Sequence, residues 1–124
     1  MKNILVVEDN PVIMELVRTL LTSFGYNYTG AEDGFEGLKA VDENDFDLIL
    51  LDIQLPGMDG LEVLKRLKED PDTGNIPVIA LTAHAMYGDE QKFLRAGCSG
   101  YVSKPIDIPR FKELLERLLP DAKV

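Results

Sequence analysis

Polar side chains that could act together in catalysis or binding follow four short apolar segments of this 124-residue sequence. Each segment has the length and composition of a buried strand. The residues concerned are Glu8 and Asp9, Asp52, Thr82, and Ser103 with Lys104. If the four segments belong to one parallel sheet, their carboxyl ends lie at one edge, where such sheets bind ligands. The sequence then predicts three carboxylates, a hydroxyl and an ammonium in one crevice.

A crevice of this composition is suited to a divalent metal and a phosphoryl group. Neighbouring carboxylates repel one another unless a cation joins them. Hard oxygen ligands favour Mg²⁺, which commonly binds one or two carboxylates and a phosphate; Mn²⁺ is the alternative ion. Lys104 and Thr82 would then contact phosphoryl oxygens. The alternative is that each acid only caps the helix that follows it, but their joint occurrence at strand ends favours a site.

The elements that must position these residues alternate regularly along the chain. Strands are predicted at residues 4–7, 26–31, 48–51, 77–82 and 101–103. Helices are predicted from Pro11 to about residue 24, and at residues 35–43, 61–69, 88–96 and 110–119. Five successive strand–helix units predict an α/β fold with a parallel sheet and helices on both faces. The flavodoxin-like strand order 2-1-3-4-5 suits this size, with the polar second strand at an edge.

Composition excludes several other classes of protein. The 22 acidic residues exceed the 13 basic ones, for a formal net charge of −9, which disfavours binding to nucleic acid or to an anionic membrane. Apolar runs are too short for a membrane span or a signal peptide. The single Cys98 permits no internal disulfide, as is common in the cytoplasm. One domain over residues 1–124 is expected.

Four sequence motifs together resemble the receiver domain of bacterial response regulators. They are Val6–Asn10, Leu50–Gly60, Ala80–Ala83 and Tyr101–Pro105, which occur in the family's order and spacing over the whole chain. The stretch Thr82–Met86 looks most like stand-alone division-control receivers and receivers attached to hybrid histidine kinases. The resemblance therefore implies a phosphorylation switch in two-component signalling.

The resemblance also implies a role for each residue of the crevice. Asp52 would accept a phosphoryl group from a phosphohistidine on a sensor histidine kinase or phosphotransfer protein. Mg²⁺ would be held by Asp9, Asp52, the backbone carbonyl of Gln54, and Glu8 either directly or through water. Lys104 would pair with the phosphoryl group and Thr82 would hydrogen-bond to it. The Lys104–Pro105 peptide bond would be cis, which X-Pro bonds tolerate.

Signal output and hydrolysis are implied in the same way. Thr82 would move toward the phosphoryl group with Tyr101 turning inward, which would change the face formed by the fourth helix, fifth strand and fifth helix for a downstream signalling protein. The alternative for Tyr101 is ordinary packing at a sheet edge. Gln54 and His84 would flank the path of the hydrolytic water, whereas the alternative for His84 is a loop residue facing solvent.

Other functions remain as alternatives. The chain could be a receiver excised from a hybrid histidine kinase in a phosphorelay, although Met1 just before the first strand and the short tail after Leu119 favour a free protein. A Mg²⁺-dependent phosphatase would need a leaving-group pocket, and a flavin carrier would need an uncharged first loop where Glu8 and Asp9 stand. A protein-interaction module with an inactive site would not need the carboxylates at the strand ends. We expect a switch with self-directed phosphotransfer and autodephosphorylation, not an enzyme with an outside substrate.

Overall fold

A computed structural model describes residues 2–83 and 89–119, together with all their side chains except those of residues 89 and 90. Five strands alternate with five helices in this part of the chain. They are β1 (Asn3–Val7), α1 (Pro11–Ser23), β2 (Asn27–Ala31), α2 (Gly34–Glu43), β3 (Leu48–Asp52), α3 (Gly60–Glu69), β4 (Val78–Thr82), α4 (Asp89–Arg95), β5 (Gly100–Ser103) and α5 (Ile108–Leu118).

The strands form one parallel sheet in the order β2-β1-β3-β4-β5. The predicted fold class and strand order are thus confirmed, including the edge position of the polar strand β2. Every residue of β3 and of β4 is buried. Strands covered by helices on both faces must be apolar throughout, which explains their sequences.

Alternate strand residues contribute to two separate hydrophobic cores. On one face of the sheet, Leu5, Val7 and Ile49 belong to the core that contains residues of α3 and α4. On the other face, Ile4 and Val6 belong to the core that contains residues of α1 and α5. The sheet is therefore held between two helical layers, and the carboxyl ends of its central strands are fixed from both sides.

Two local predictions were wrong in detail. Helix α5 begins at Ile108 and not at Arg110, because the Asp107 side chain caps it by accepting a hydrogen bond from the Arg110 amide at 3.2 Å. On α1, the helical spacing of the apolar residues predicts that Leu16 faces the core, but Leu16 is 38% exposed, while Leu21 is fully buried. Helical spacing shows which residues share a face, but which part of that face is buried depends on how the helix is rotated against the sheet.

No helix in the described ranges combines the length and the apolar composition that crossing a membrane would require. The buried stripes of α1 and α5 instead pack on the sheet. Both faces of the sheet are covered, and polar groups of the core are concentrated at the carboxyl ends of the strands.

Candidate functional site

The carboxyl ends of β1, β3, β4 and β5 bring five of the sequence-predicted site residues into one region, the strand-end crevice. Glu8 and Asp9 follow β1, Asp52 ends β3, Thr82 ends β4, and Lys104 follows β5. One carboxylate oxygen each from Glu8, Asp9 and Asp52 lies within 4.8 Å of the others. The strand order thus assembles the acidic set from two separate parts of the sequence.

Asp52 is the most constrained member of the strand-end crevice. Its side chain is nearly inaccessible, with Oδ1 accepting a hydrogen bond from the Gln54 amide at 2.9 Å. Its Oδ2 lies 3.4 Å from Lys104 Nζ. On the main-chain side, a Cβ added to Gly60 would lie 2.3 Å from the Asp52 carbonyl oxygen. The amino terminus of α3 therefore packs directly on the backbone of Asp52, which fixes where this carboxylate can point.

Glu8 is almost completely buried, as Asp52 is. Its Oε2 accepts a hydrogen bond from the Asn10 amide at 3.2 Å. Its Oε1 lies 2.8 Å from Lys104 Nζ and forms an ion pair with it. The angle between the two groups does not suit a hydrogen bond, so Oε1 has no hydrogen-bond partner among the described residues. Burial raises the pKa of Glu8, and the neighbouring Asp52 carboxylate adds to that rise.

Lys104 lies between Glu8 and Asp52 and contacts both carboxylates. Burial alone would lower the pKa of Lys104, but the contacts with Glu8 and Asp52 outweigh burial and raise it. The side chain is therefore a protonated ammonium within the crevice. The positive charge of Lys104 offsets one of the three carboxylate charges, so the acidic set keeps a net negative charge.

The backbone holds Lys104 beside Thr82. The Lys104 amide donates a hydrogen bond to the Thr82 carbonyl at 2.8 Å, and Thr82 itself is buried. Register places Thr82 opposite Ser103. The Lys104–Pro105 peptide bond is cis. The hydroxyl and the ammonium that the sequence singled out therefore come from adjacent strand ends.

Asp9 and Gln54 lie at the mouth of the crevice, where both are exposed. They line a cavity of about 560 Å³ together with the β3–α3 loop and Lys92. This cavity leaves Asp9 open to solvent on the side of α4.

The residues present fit a magnesium ion. Glu8, Asp9 and Asp52 supply oxygen atoms only, which is the donor type that Mg²⁺ prefers. Glu8 also has an oxygen, Oε1, that is buried without a hydrogen bond from any described residue. A cation would also relieve the repulsion among carboxylates that Lys104 alone does not neutralise.

Tyr101 lies on the edge strand β5 and is only partly buried. Its ring centroid is 6.4 Å from that of Phe93 on α4, with the ring planes at 51°. The Arg110 guanidinium lies on the ring, 5.4 Å from its centroid. Tyr101 is thus held between an inner aromatic ring and an outer cation. His84, the other residue expected to modulate the site, lies outside the described residues.

Sequence reasoning missed three residues that shape these regions. Gly60 was interpreted only as a loop breaker, although its lack of a side chain allows α3 to contact the backbone of Asp52. Met58 had no assigned role but is buried in the core beneath the β3–α3 loop. Arg110 had no assigned role either. A glycine directly after a capping Asp59, at the first position of an amphipathic helix, is a signal that could have identified Gly60.

Comparison with known proteins agrees with this geometry. Residues 4–116 match the family model of the response regulator receiver domain. The polar-differentiation response regulator DivK of Brucella ovis is 48% identical over 121 residues, which are 98% of each protein. DivK of Brucella melitensis matches to the same extent. Because these relatives are matched over nearly their whole length, the alternative of a hybrid-kinase receiver is not favoured.

Solved structures show the same fold. One is the receiver domain of a sensor histidine kinase from Pseudomonas aeruginosa PAO1, which has a magnesium ion coordinated in its active-site cleft. It aligns with a TM-score of 0.88 and 34% sequence identity, over 96% of this chain and 98% of that chain. The receiver domain of a Francisella response regulator has a TM-score of 0.90 and 29% identity, over 98% of both. The chain therefore belongs to the response regulator receiver domains of two-component signalling and is a signalling regulator, not a classical enzyme.

Proposed function

We propose that Asp52 accepts a phosphoryl group from a phosphohistidine of a sensor histidine kinase or phosphotransfer protein. The observation that carries this proposal is the position of the Asp52 carboxylate, with Lys104 Nζ 3.4 Å from Oδ2 and two further carboxylates within 4.8 Å. A carboxylate beside an ammonium and a metal-binding set is equipped to act as a nucleophile toward phosphorus. The same residues would let a small phosphodonor such as acetyl phosphate replace the partner.

In the transfer, an Asp52 carboxylate oxygen forms a bond to phosphorus while the bond from phosphorus to the donor imidazole nitrogen breaks. The imidazole nitrogen keeps the electron pair of the broken bond. Such reactions depend mainly on positioning and on neutralising charge. Lys104 would pair with one phosphoryl oxygen, and the Thr82 hydroxyl would donate a hydrogen bond to another. Both residues are held at adjacent strand ends by the hydrogen bond that the Lys104 amide donates to the Thr82 carbonyl.

Mg²⁺, or Mn²⁺ in its place, would be held by Asp9, Asp52, the backbone carbonyl of Gln54, and Glu8 directly or through water. When bound, the ion supplies positive charge that offsets the carboxylates and the phosphoryl oxygens. Its proposed presence is supported by the oxygen-only donor set and by the magnesium in the similar Pseudomonas receiver. The exposed Asp9 is the most accessible of the three carboxylates, whereas Glu8 is buried against Lys104.

Phosphotransfer and autodephosphorylation would both be self-directed, with no outside substrate. Gln54 stands at the exposed mouth of the crevice, where a hydrolytic water would approach. We assign Gln54 and His84 to control of that water and hence of the phosphoryl lifetime.

Output would come from contacts of one cytoplasmic receiver domain, residues 1–124, with a downstream signalling protein. Thr82 would respond to the phosphoryl group and Tyr101 would turn inward, which changes the face formed by α4, β5 and α5. Such a switch requires that the phosphoryl group favour one of two states that differ by a few kcal/mol. The 48% identical relatives are named for polar differentiation, and we extend that cellular role to this chain.

Intact mass spectrometry after incubation with acetyl phosphate tests the assignment of Asp52. We expect one phosphoryl adduct, about 80 Da, on the wild type with Mg²⁺, and none after metal removal or in Asp52→Asn. Asp42→Asn is the matched control, because Asp42 is an exposed carboxylate on α2 outside the crevice, and it should be labelled like the wild type. Stable labelling of Asp52→Asn would place the acceptor elsewhere.

A wild-type protein without an adduct would need a second measurement. Beryllofluoride imitates a phosphoryl group on a carboxylate and is not hydrolysed, so it separates a short phosphoryl lifetime from an inactive site. Saturable changes in amide chemical shifts around Asp52, dependent on Mg²⁺, would support the proposal. Absence of both the adduct and the beryllofluoride response in the folded protein would overturn it.

A further inference from the structure

The β3–α3 loop, residues 53–59, carries the backbone carbonyl of Gln54 that is assigned above to the metal. Its two ends are fixed by backbone hydrogen bonds. The Ile53 amide donates to the Leu81 carbonyl at 3.0 Å, and the Gly60 amide donates to the Ile53 carbonyl at 3.1 Å. The ends of the loop are thus anchored to the sheet and to each other, and the position of its middle depends on side-chain packing.

Met58 anchors this loop on its inner side. Between Gln54 and Asp59, all of which the structure describes, Met58 is the only buried residue, and it belongs to the core that contains residues of α3 and α4. Gly34, the first residue of α2, leaves room for it, since a Cβ on Gly34 would lie 3.2 Å from Met58 Cβ and 3.4 Å from Met58 Sδ. The same Cβ would lie 2.6 Å from Val63 Cγ2. Met58 therefore packs where the first turn of α2 meets α3.

Phe35 contacts the same loop from the solvent side. It follows Gly34 in the first turn of α2 and is 62% exposed. Its Cε2 lies 3.6 Å from the position that a Cβ of Gly57 would occupy, which is an ordinary van der Waals distance. The ring therefore packs on the loop at the residue that precedes Met58. The first turn of α2 thus supports two consecutive residues of the loop.

We propose that Met58 and Phe35 are positioning residues for metal binding, which act through the backbone carbonyl of Gln54. This inference rests on the proposed function, because it takes that carbonyl as a metal ligand. Mg²⁺ demands near-ideal octahedral geometry, so a displaced ligand lowers its affinity. Asp52 belongs to β3 and is held by the sheet, whereas Gln54 belongs to the loop. Support from α2 therefore has its largest effect on the carbonyl ligand.

Titration with Mg²⁺ alone tests the proposal, with the amide and carbonyl chemical shifts of ¹³C,¹⁵N-labelled protein as the readout. The variants are Met58→Ala and Phe35→Ala, which remove the two supports, and Met58→Leu, which keeps most of the side-chain volume. Leu67→Ala is the control for Met58→Ala, because Leu67 is buried in the same core but lies in the last turn of α3. Leu16→Ala is the control for Phe35→Ala, because Leu16 is an exposed apolar residue of another helix.

We expect Met58→Ala to weaken Mg²⁺ binding about tenfold, as is usual for residues that orient a metal ligand. Phe35→Ala should weaken it about threefold, because much of that ring is in solvent and less contact is lost. In both variants the carbonyl resonance of Gln54 should move less on saturation with Mg²⁺, while the response of Asp9 is retained. This difference between two residues of the same site separates positioning of one ligand from a general loosening of the protein.

The remaining variants should bind Mg²⁺ as the wild type does. Met58→Leu should stay within about twofold of it, because swaps that conserve volume are well tolerated in a core. Leu67→Ala should keep the wild-type affinity although it also removes a buried side chain, and Leu16→Ala should keep it as well.

Unchanged Mg²⁺ affinity in Met58→Ala would overturn the role of Met58, and the same result in Phe35→Ala would overturn that of Phe35. Equal weakening by the controls, or no recovery in Met58→Leu, would show a general effect of destabilisation and overturn both roles. If Met58→Ala does not fold, Phe35→Ala and Met58→Leu decide the question.

Failure of the proposed function has a different signature. A wild type without any Mg²⁺ response at Gln54 would overturn the carbonyl ligand and, with it, this inference. A wild type that binds Mg²⁺ and is labelled on Asp52 by acetyl phosphate, with Met58→Ala and Phe35→Ala equal to it in Mg²⁺ affinity, would overturn this inference alone.

Discussion

The strand-end crevice and a second cavity, the α4–α5 cleft of about 570 Å³ lined by residues of α4, β5 and α5, hold their charged groups in opposite ways. In the crevice, Glu8 and Asp52 are buried and share the ammonium of Lys104. In the cleft, Arg110 and Arg117 are exposed and, within the described ranges, carry no ion pair. Buried charges need fixed partners because desolvation is costly. Exposed charges can remain unpaired at little cost and be available to another molecule.

The difference also lies in what positions each group. Strand ends and their backbone hydrogen bonds hold the crevice residues, as with the Lys104 amide and the Thr82 carbonyl. The two arginines of the cleft project from one face of α5 into solvent, and Arg110 also lies on the Tyr101 ring. Backbone hydrogen bonds at strand ends suit a reaction with a fixed geometry, whereas exposed side chains on a helix are accessible to a partner.

The largest effect that separates the two regions is expected for Lys104→Met. This change removes the ammonium from Glu8 and Asp52, and we expect adduct formation with acetyl phosphate to slow about 100-fold or more. Time-resolved intact mass gives the rate. Lys92→Met, which alters a lysine at the mouth of the crevice, is the control and should change the rate less than about threefold. Similar rates for both variants would mean that the buried ammonium has no special role.

The chemistry of Cys98 extends the contrast between buried and exposed groups. Burial raises the pKa of the Cys98 thiol from 9.0 to about 11. At pH 8 the folded protein should therefore react with a disulfide reagent about 100-fold more slowly than the chain unfolded in urea. The thiol loses its proton at a lower pH in the unfolded chain than in the folded protein. The contribution of Cys98 to the free energy of unfolding should therefore fall as the pH rises from about 9 toward 11. Equal rates in the two states would show that the thiol is accessible.

Gly60→Ala tests how rigidly Asp52 is held. The new Cβ would lie 2.3 Å from the Asp52 carbonyl and 2.6 Å from Ile53 Cα, and neither backbone atom can move without disturbing β3. We expect the free energy of unfolding in urea to decrease by about 2–3 kcal/mol. Gly25→Ala is the comparison, because no atom lies within 4 Å of the added Cβ and only the positive φ is unfavourable. This change should lower the free energy of unfolding by about 1 kcal/mol. A smaller loss at Gly60 than at Gly25 would contradict this close packing.

The smallest effect is expected for Arg110→Gln in the cleft. Loss of the cation on the Tyr101 ring should lower the free energy of unfolding by about 0.5 kcal/mol. Arg95→Gln is the comparison, since Arg95 is exposed on α4 and has no ring contact among the described residues. Urea unfolding of both variants gives the difference. Equal stabilities would show that the Tyr101 contact contributes nothing to the folded state.

Much of the fold followed from local patterns. Apolar runs such as Leu48–Leu51 are strands because they lack polar positions, and Asn10 with Pro11 begins α1 because both suit a helix amino terminus. The boundary of α5 did not follow, since the capping role of Asp107 was not recognised. The exposure of Leu16 did not follow either, because it depends on how α1 is rotated against the sheet.

The sequence by itself determined which chemical groups stand after each strand, and therefore that carboxylates, a hydroxyl and an ammonium would meet at one sheet edge. Only the tertiary structure decided that Lys104 lies between Glu8 and Asp52 and that Gly60 packs on the Asp52 backbone. Only the tertiary structure, likewise, placed Arg110 on Tyr101 beside an open cleft. The physical reason is that strand ends are local properties of a sequence. Contacts between distant side chains depend on the packing of whole helices against the sheet.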